Sequence, residues 1–140
     1  MDLNVPTTSA SFSDHLATYS HFLAKGLIAM QQCKQCKTFR FPPANICASC
    51  SSDQYDWHAL SGRGIIWSYC VFHKDYFPNE SRKIPYVVVL IQLEEGPRVF
   101  SNMTDVDVNS LQIGLPVRAI FEDQPNAETL LRFRLAGGDT

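Results

Sequence analysis

Four of the five cysteines fall into two pairs, Cys33-Lys34-Gln35-Cys36 and Cys47-Ala48-Ser49-Cys50, with ten residues between the pairs. A two-residue gap lets both sulfurs of a pair reach one ion from a tight turn, and two such pairs make the tetrahedral four-sulfur set that zinc prefers. All four positions of the metal are then filled by protein. Such a site has no place for water or substrate, so the metal is expected to hold the fold together and to do no chemistry. Iron in a rubredoxin-type centre uses the same four sulfurs, and the spacing leaves that choice open. The loop between the pairs is shorter than the ~15 to 20 residues common in double CxxC sites, yet long enough for a small ribbon. A disulfide pairing needs an oxidising compartment. Met1 to Ala10 lack the basic start and apolar run of a secretory signal, which points to the cytoplasm and to reduced thiols. Cys70 stands alone in an apolar strand pattern and is expected to be a buried small hydrophobe.

No catalytic constellation accompanies the cysteines. GxSxG, HExxH and glycine-rich phosphate loops are all missing, and Gly62-Arg63-Gly64 reads as a turn. His15, His21, His58 and His73 are scattered and read as surface or packing residues, although His73 sits beside Lys74 at the end of a strand pattern. The net charge of −2 and pI near 6.0 argue against a nucleic-acid binder, which needs a basic excess to neutralise phosphates. Cations concentrate between Lys25 and Lys83 and acids between Leu90 and Glu128, so a small anionic ligand would favour the first half. No apolar stretch approaches the ~20 residues that span a bilayer, so no membrane partner is expected.

The 140 residues, 45% hydrophobic and 19% charged, suit a globular chain of one domain or two very small ones. Ser11 to Ala24 has helical periodicity, with Phe12, Leu16, Tyr19, Phe22 and Leu23 on one face, a Ser11/Asp14 capping pair and Gly26 as terminator. From Leu27 to Ala59 short strands alternate with the cysteine pairs, joined by an arm of Phe39, Arg40, Phe41, Pro42 and Pro43. A segment of that size buries little core, so metal binding must supply much of its folding free energy. Five strand patterns follow: Ile65 to His73, Pro85 to Leu93, Arg98 to Met103, Pro116 to Glu122 and Thr129 to Leu135. Between the third and fourth, Val106, Val108 and Leu111 could pack from a short helical turn. In the first strand, alternation sets Ile65, Trp67, Tyr69 and Val71 against Ile66, Ser68, Cys70 and Phe72. The expected fold is mainly β: an N-terminal helix (11–26) after a flexible tail (1–10), a zinc ribbon (27–60), a five-stranded OB-fold barrel (61–136) and a short tail (137–140).

Together these segments resemble a known family, small proteins in which a rubredoxin-like zinc ribbon is joined to an OB-fold, long catalogued as a domain of unknown function. The resemblance runs from about Phe22 to Leu135. It is carried by the two cysteine pairs, Phe41-Pro42-Pro43, Gly62-Arg63-Gly64-Ile65-Ile66-Trp67-Ser68-Tyr69, Pro85-Tyr86-Val87-Val88, Ile113-Gly114-Leu115-Pro116-Val117 and Phe121-Glu122. Two features depart from it. Lys37 and Ser51 stand where such ribbons usually place glycine after each knuckle, so the backbone must turn without glycine's freedom. Ala44 replaces the arginine that often follows Pro-Pro, which leaves Arg40, at the other end of the arm, to substitute for it.

The resemblance implies a partner of thiolases, ketosynthase-like enzymes or thiolase-related aldolases that helps to bind CoA thioesters; some relatives accompany hydratases as a fused domain. The chain is therefore expected to be a non-catalytic subunit of a hetero-oligomer with a thiolase-like enzyme. The partner would cleave or form carbon–carbon bonds on a 3-ketoacyl-CoA, in the degradation of an aromatic or steroid-type acid. CoA carries phosphates, an adenine ring and a thin apolar arm, which call for cations and aromatic platforms. Phe39, Arg40, Phe41, His73, Lys74 and Lys83 offer these types, against the plainer reading of a solvated basic face and core aromatics. Two other readings stay open: a single-strand nucleic-acid binder whose aromatics stack bases, and a purely structural interaction module.

Overall fold

The structure is a computed structural model that describes residues 2–3, 11–76 and 83–137. Helix α1, Phe12–Ala24, starts as the sequence predicts. The Ser11 and Asp14 side chains each accept the other's backbone N–H at 3.2 Å, which satisfies two amides left over at a helix start. Gly26 ends it with a φ of 78°. The buried face is rotated from the expected one. His15, Phe22 and Leu23 point inward, whereas Phe12 and Leu16 are left exposed. The polar ring of His15 takes the place anticipated for Leu16 because the ribbon offers it hydrogen-bond partners, described below.

The first sheet has the order β1-β4-β2-β3, with β1 at Asp2–Leu3, β2 at Ile28–Cys33, β3 at Phe39–Arg40 and β4 at Tyr55–Leu60. Part of the segment expected as a tail thus pairs, Asp2 with His58 and Leu3 with Trp57, while residues 4–10 lie outside the described residues. Strand alternation divides this sheet between two apolar clusters. Ile28, Met30 and Leu60 join Leu23 in the larger core, while Ala29, Tyr55 and Trp57 pack with Phe22 of the helix.

The second sheet has five strands close to their expected bounds: β5 at Arg63–Phe72, β6 at Tyr86–Leu93, β7 at Arg98–Asn102, β8 at Pro116–Gln124 and β9 at Ala127–Leu135. The expected turn is a 3-10 turn at Val108–Ser110, with Leu111 buried after it and Val106 and Val108 against the core. The closed OB-fold barrel is not found. The order is β7-β6-β5-β8-β9, an open sheet whose edges β7 and β9 share no ladder. Among the described residues they meet at one end, through a parallel bridge between Met103 and Phe133, a Thr104 N–H donating to the Phe133 carbonyl at 2.8 Å and a Ser101 hydroxyl donating to the Leu131 carbonyl at 2.7 Å. A closed barrel needs continuous pairing around the ring. Here β5 pairs with β8 only from Arg63 to Ile65 and then departs at a bulge.

That bulge also reassigns the faces of β5. The register with β6 shifts between Ile66 and Ser68, so Trp67 is the extra residue and the alternation changes phase across it. Ile66 is buried before the bulge, and Tyr69 and Val71 pack on the core after it. Ile65 and Trp67 are exposed, and so is Cys70, which contradicts its expected burial. Of Gly62-Arg63-Gly64, read as a turn, Gly62 bends the chain with a φ of 79°, while Arg63 and Gly64 already open β5. Gly64 pairs with both Leu93 and Val117, and a Cβ there would strike the Gln92 carbonyl and lie 2.9 Å from Ile91 Cγ2. Gly64→Ala should cost about 1–3 kcal/mol through this overpacking. Thermal unfolding followed by circular dichroism checks it, and an unchanged midpoint would contradict the account.

Candidate metal centre

β2 delivers Cys33 as its last residue, and the chain turns so that Cys36 follows. The second knuckle repeats the turn in a loop. Lys37 N–H donates to the Cys33 carbonyl at 3.1 Å and Ser51 N–H to the Cys47 carbonyl at 2.9 Å. Cys33 and Cys47 N–H then return bonds to the carbonyls of Thr38 and Ser52, both at 2.9 Å. The turns need left-handed backbone at Lys37 and Ser51, with φ of 66° and 65°, the two positions where glycine was missed in the sequence. Each costs roughly 1–2 kcal/mol relative to an ordinary conformation. Something must offset that strain, and the geometry of the sulfurs identifies it.

All four Sγ atoms lie within 4.8 Å of one another, with Cys33–Cys50 and Cys36–Cys47 each at 3.5 Å. A tetrahedron with Zn–S bonds of about 2.3 Å has edges of about 3.8 Å, so these residues fit a zinc or iron ion. The Cys36 amide, pointed at Cys33 Sγ from 3.5 Å, pulls that thiol down to about 6. The Cys50 amide lowers Cys47 in the same way. The Ser52 amide pulls at Cys50, but desolvation and the sulfurs of Cys33, Cys36 and Cys47 override it and push that thiol up to about 12. Four thiolates therefore cannot share this space without a cation. A bound metal would supply that positive charge and a rigid crosslink.

A buried polar frame backs the loops, built from residues that the sequence analysis did not connect to the metal centre. Arg40 is 5% exposed, and its guanidinium donates to the carbonyls of Ala44, Ser52 and Gln54 at 3.0–3.2 Å while lying 5.0 Å from the Tyr55 ring centroid. Gln31, fully buried, accepts from Ala44 N–H at 2.8 Å. His15 Nε2 lies 2.8 Å from Asn45 Oδ1, and His15 Nδ1 lies 3.4 Å from Gln31 Nε2. The signal for this frame is a glutamine inside an apolar strand pattern and a histidine on an apolar helix face.

The residues singled out for a ligand divide into two groups. Phe39, Arg40 and Phe41 lie in the ribbon: Phe39 packs edge-on to His58, and Phe41 lies 5.3 Å from Tyr19. Arg40 is engaged with the ribbon's own carbonyls. His73, Lys74 and Lys83 are exposed at the opposite end of the β5–β6 pair. Eight strand residues separate that end from Gly64, roughly 26 Å of extended chain. There Phe72 stacks on Tyr86 at 5.1 Å and Lys74 Nζ lies 5.5 Å from the Tyr76 ring. Lys83 lines a cleft of about 910 Å³ with Tyr86, Asn102, Thr104 and Arg132. No helix is long and apolar enough to cross a membrane among the described residues.

Residues 24–56 match a family model described as the rubredoxin-like zinc ribbon domain of ChsH2, and residues 57–122 one described as its C-terminal OB-fold domain. The chain is 32% identical over 108 residues to a DUF35 domain-containing scaffold protein of Methanocaldococcus jannaschii, covering 74% of each. It is 37% identical over 90 residues to a probable enoyl-CoA hydratase alpha subunit of Thermomonospora curvata. That match takes in 64% of this chain but only 28% of the relative's length. Among solved structures it resembles a chain of the Ltp2-ChsH2(DUF35) aldolase, with a TM-score of 0.79 and 30% identity over 94% of this chain and 99% of that one.

Two outcomes test the metal centre. Cys36→Ser should abolish stoichiometric zinc or iron in elemental analysis of reduced protein and loosen the ribbon, seen as lost near-ultraviolet dichroism from Trp57. Acid should release the metal. Because the Cys33 thiol is depressed in the folded state, its stabilisation is complete above the ordinary thiol value of 9.0 and is lost as pH falls through about 6. A bound ion competes with protons for the sulfurs and holds its own release below that value, so a metal content that acid never lowers would contradict the assignment.

Proposed function

Because the chain belongs to the ChsH2/DUF35 family of zinc-ribbon and OB-fold proteins, we propose that it is a non-catalytic accessory subunit of a thiolase-like enzyme. In this reading it assists CoA-thioester binding and complex assembly in the cytoplasm, where thiols stay reduced. The partner performs carbon–carbon cleavage or formation on a 3-ketoacyl-CoA, in the breakdown of an aromatic or steroid-type acid. The observation that carries it is the end-to-end likeness to a chain of the Ltp2-ChsH2(DUF35) aldolase, joined to a four-sulfur centre whose ligand positions are all filled by protein. A centre of that kind shapes a scaffold and leaves the reaction to another polypeptide.

For the CoA contact we favour the distal end of the β5–β6 pair over the ribbon arm. His73, Lys74 and Lys83 are exposed there beside the aromatic rings of Phe72, Tyr76 and Tyr86 and the open cleft. Cations suit phosphates and rings suit adenine. Phe39 and Phe41 would serve only as flanking apolar surface, with Arg40 fixing the arm that carries them.

Co-expression with a thiolase-like subunit from the same genome should give a stable complex active on acyl-CoA, while each chain alone is inactive or nearly so. Full thiolysis or retro-aldol activity by the partner alone would count against the reading. Within the complex, Lys74→Glu combined with Lys83→Glu should raise KM for acyl-CoA about three- to tenfold with little change in kcat, as expected for loss of uniform binding. An unchanged KM would remove these lysines from the contact.

A further inference from the structure

Cys36 belongs to an exposed run from Lys34 to Thr38, and a second sulfur stands directly behind it. Its Sγ lies 3.3 Å from the Thr38 hydroxyl, which can donate to the sulfur once it is a thiolate. Cys47, on the other knuckle, holds its buried Sγ 3.5 Å away. Cys33 and Cys50 repeat the same separation, 3.5 Å, and again the contact runs from one knuckle to the other. A solvent-accessible thiolate with a second cysteine poised next to it is the arrangement of redox-sensing pairs. Cys70 is exposed too, but it sits on β5 in register with Val88 and outside the four-sulfur cluster, so it has the access without the partner.

We propose that the centre is also an oxidation site, where Cys36 reacts with a hydroperoxide and closes a disulfide with Cys47 as the metal leaves. In the first step the Cys36 thiolate attacks one peroxide oxygen. An S–O bond forms, the O–O bond breaks, and the sulfur is oxidised to a sulfenic acid while hydroxide departs. The Cys47 thiolate then attacks that sulfur, so that an S–S bond forms, the S–O bond breaks and a second hydroxide departs. Two solvent protons turn both hydroxides into water. A second peroxide molecule takes Cys33 and Cys50 through the same steps. Each disulfide removes two thiolates from the closed ligand set, which can no longer hold the ion. Because both bonds cross from knuckle to knuckle, they would tie the two loops together where the metal had done so. The ribbon thus exchanges one crosslink for another, and a dithiol reverses the change by thiol–disulfide exchange. The inference rests on the four-sulfur centre and is independent of the accessory-subunit reading.

The test treats the full, reduced, zinc-loaded chain with hydrogen peroxide. A chromophoric chelator follows zinc release, and peptide mass spectrometry after thiol blocking maps the disulfides, with Cys70 as the internal reference. The expected result is loss of the zinc together with Cys36–Cys47 and Cys33–Cys50 disulfides, and oxidation of Cys36 at least about tenfold faster than that of Cys70. Dithiothreitol and added zinc should then restore the metal content and the near-ultraviolet dichroism of Trp57. Zinc retained and all four cluster cysteines reduced after Cys70 has been oxidised would overturn the proposal. So would Cys36 carried on to sulfinic acid with no disulfide, or disulfides confined to Cys33–Cys36 and Cys47–Cys50. A reduced chain that takes up no zinc would overturn the metal centre and this inference with it, and leave the accessory role to be tested on its own.

Discussion

Four sulfurs gathered within 4.8 Å of one another cannot remain there as anions without a cation between them, and the ribbon's other features follow from that constraint. The knuckle amides lower two of the thiols, and crowding raises a third. The loops reach this arrangement through left-handed turns at Lys37 and Ser51, which an isolated segment would relax. A single ion held by the four sulfurs would offset the strain and fix both loops at once. Arg40 then ties the chain on either side of the second knuckle by donating to the carbonyls of Ala44, Ser52 and Gln54. Buried backbone acceptors need such partners, and the loops have no strand neighbours to provide them.

The clamp would isolate the ribbon if packing did not join it to the rest of the molecule. β2 and β4 are covered on both faces, by helix α1 and Phe22 on one side and by the larger core on the other. Leu23, Ile28, Met30 and Leu60 therefore belong to the same apolar cluster as Ile66, Val89, Val117 and Phe133. Local order imposed by metal is transmitted to the second sheet through contact between side chains. In turn, that sheet supplies the apolar surface which a thirty-residue ribbon lacks.

The cysteine pairs, the Ser11/Asp14 cap and all five strands of the second sheet were legible because each depends on chemistry within a few residues. The Lys37 and Ser51 turns were legible for the same reason. What escaped depends on partners distant in the chain. His15 displaced Leu16 from the buried helix face because Asn45 and Gln31 meet it from the ribbon. Arg40, read as a surface cation, finds its acceptors up to fourteen residues away. The extra residue at Trp67 exists only in the pairing with β6, so strict alternation wrongly grouped Tyr69 and Val71 with Ile65 and Trp67, and Cys70, expected to be buried as a small hydrophobe, is exposed. Barrel closure also failed as an expectation, because strand count does not specify whether the outermost strands find each other.

The four sulfurs are unequally shielded: Cys33 and Cys47 are buried, Cys50 is partly covered and Cys36 is exposed. Ligand exchange at such a centre is consequently directional. A chelator or oxidant arriving from solvent meets Cys36 first, and the ion would be left on three sulfurs that the chain still encloses. The chain would thus guard the ion unevenly, with one sulfur open to attack and the other three reached only behind it.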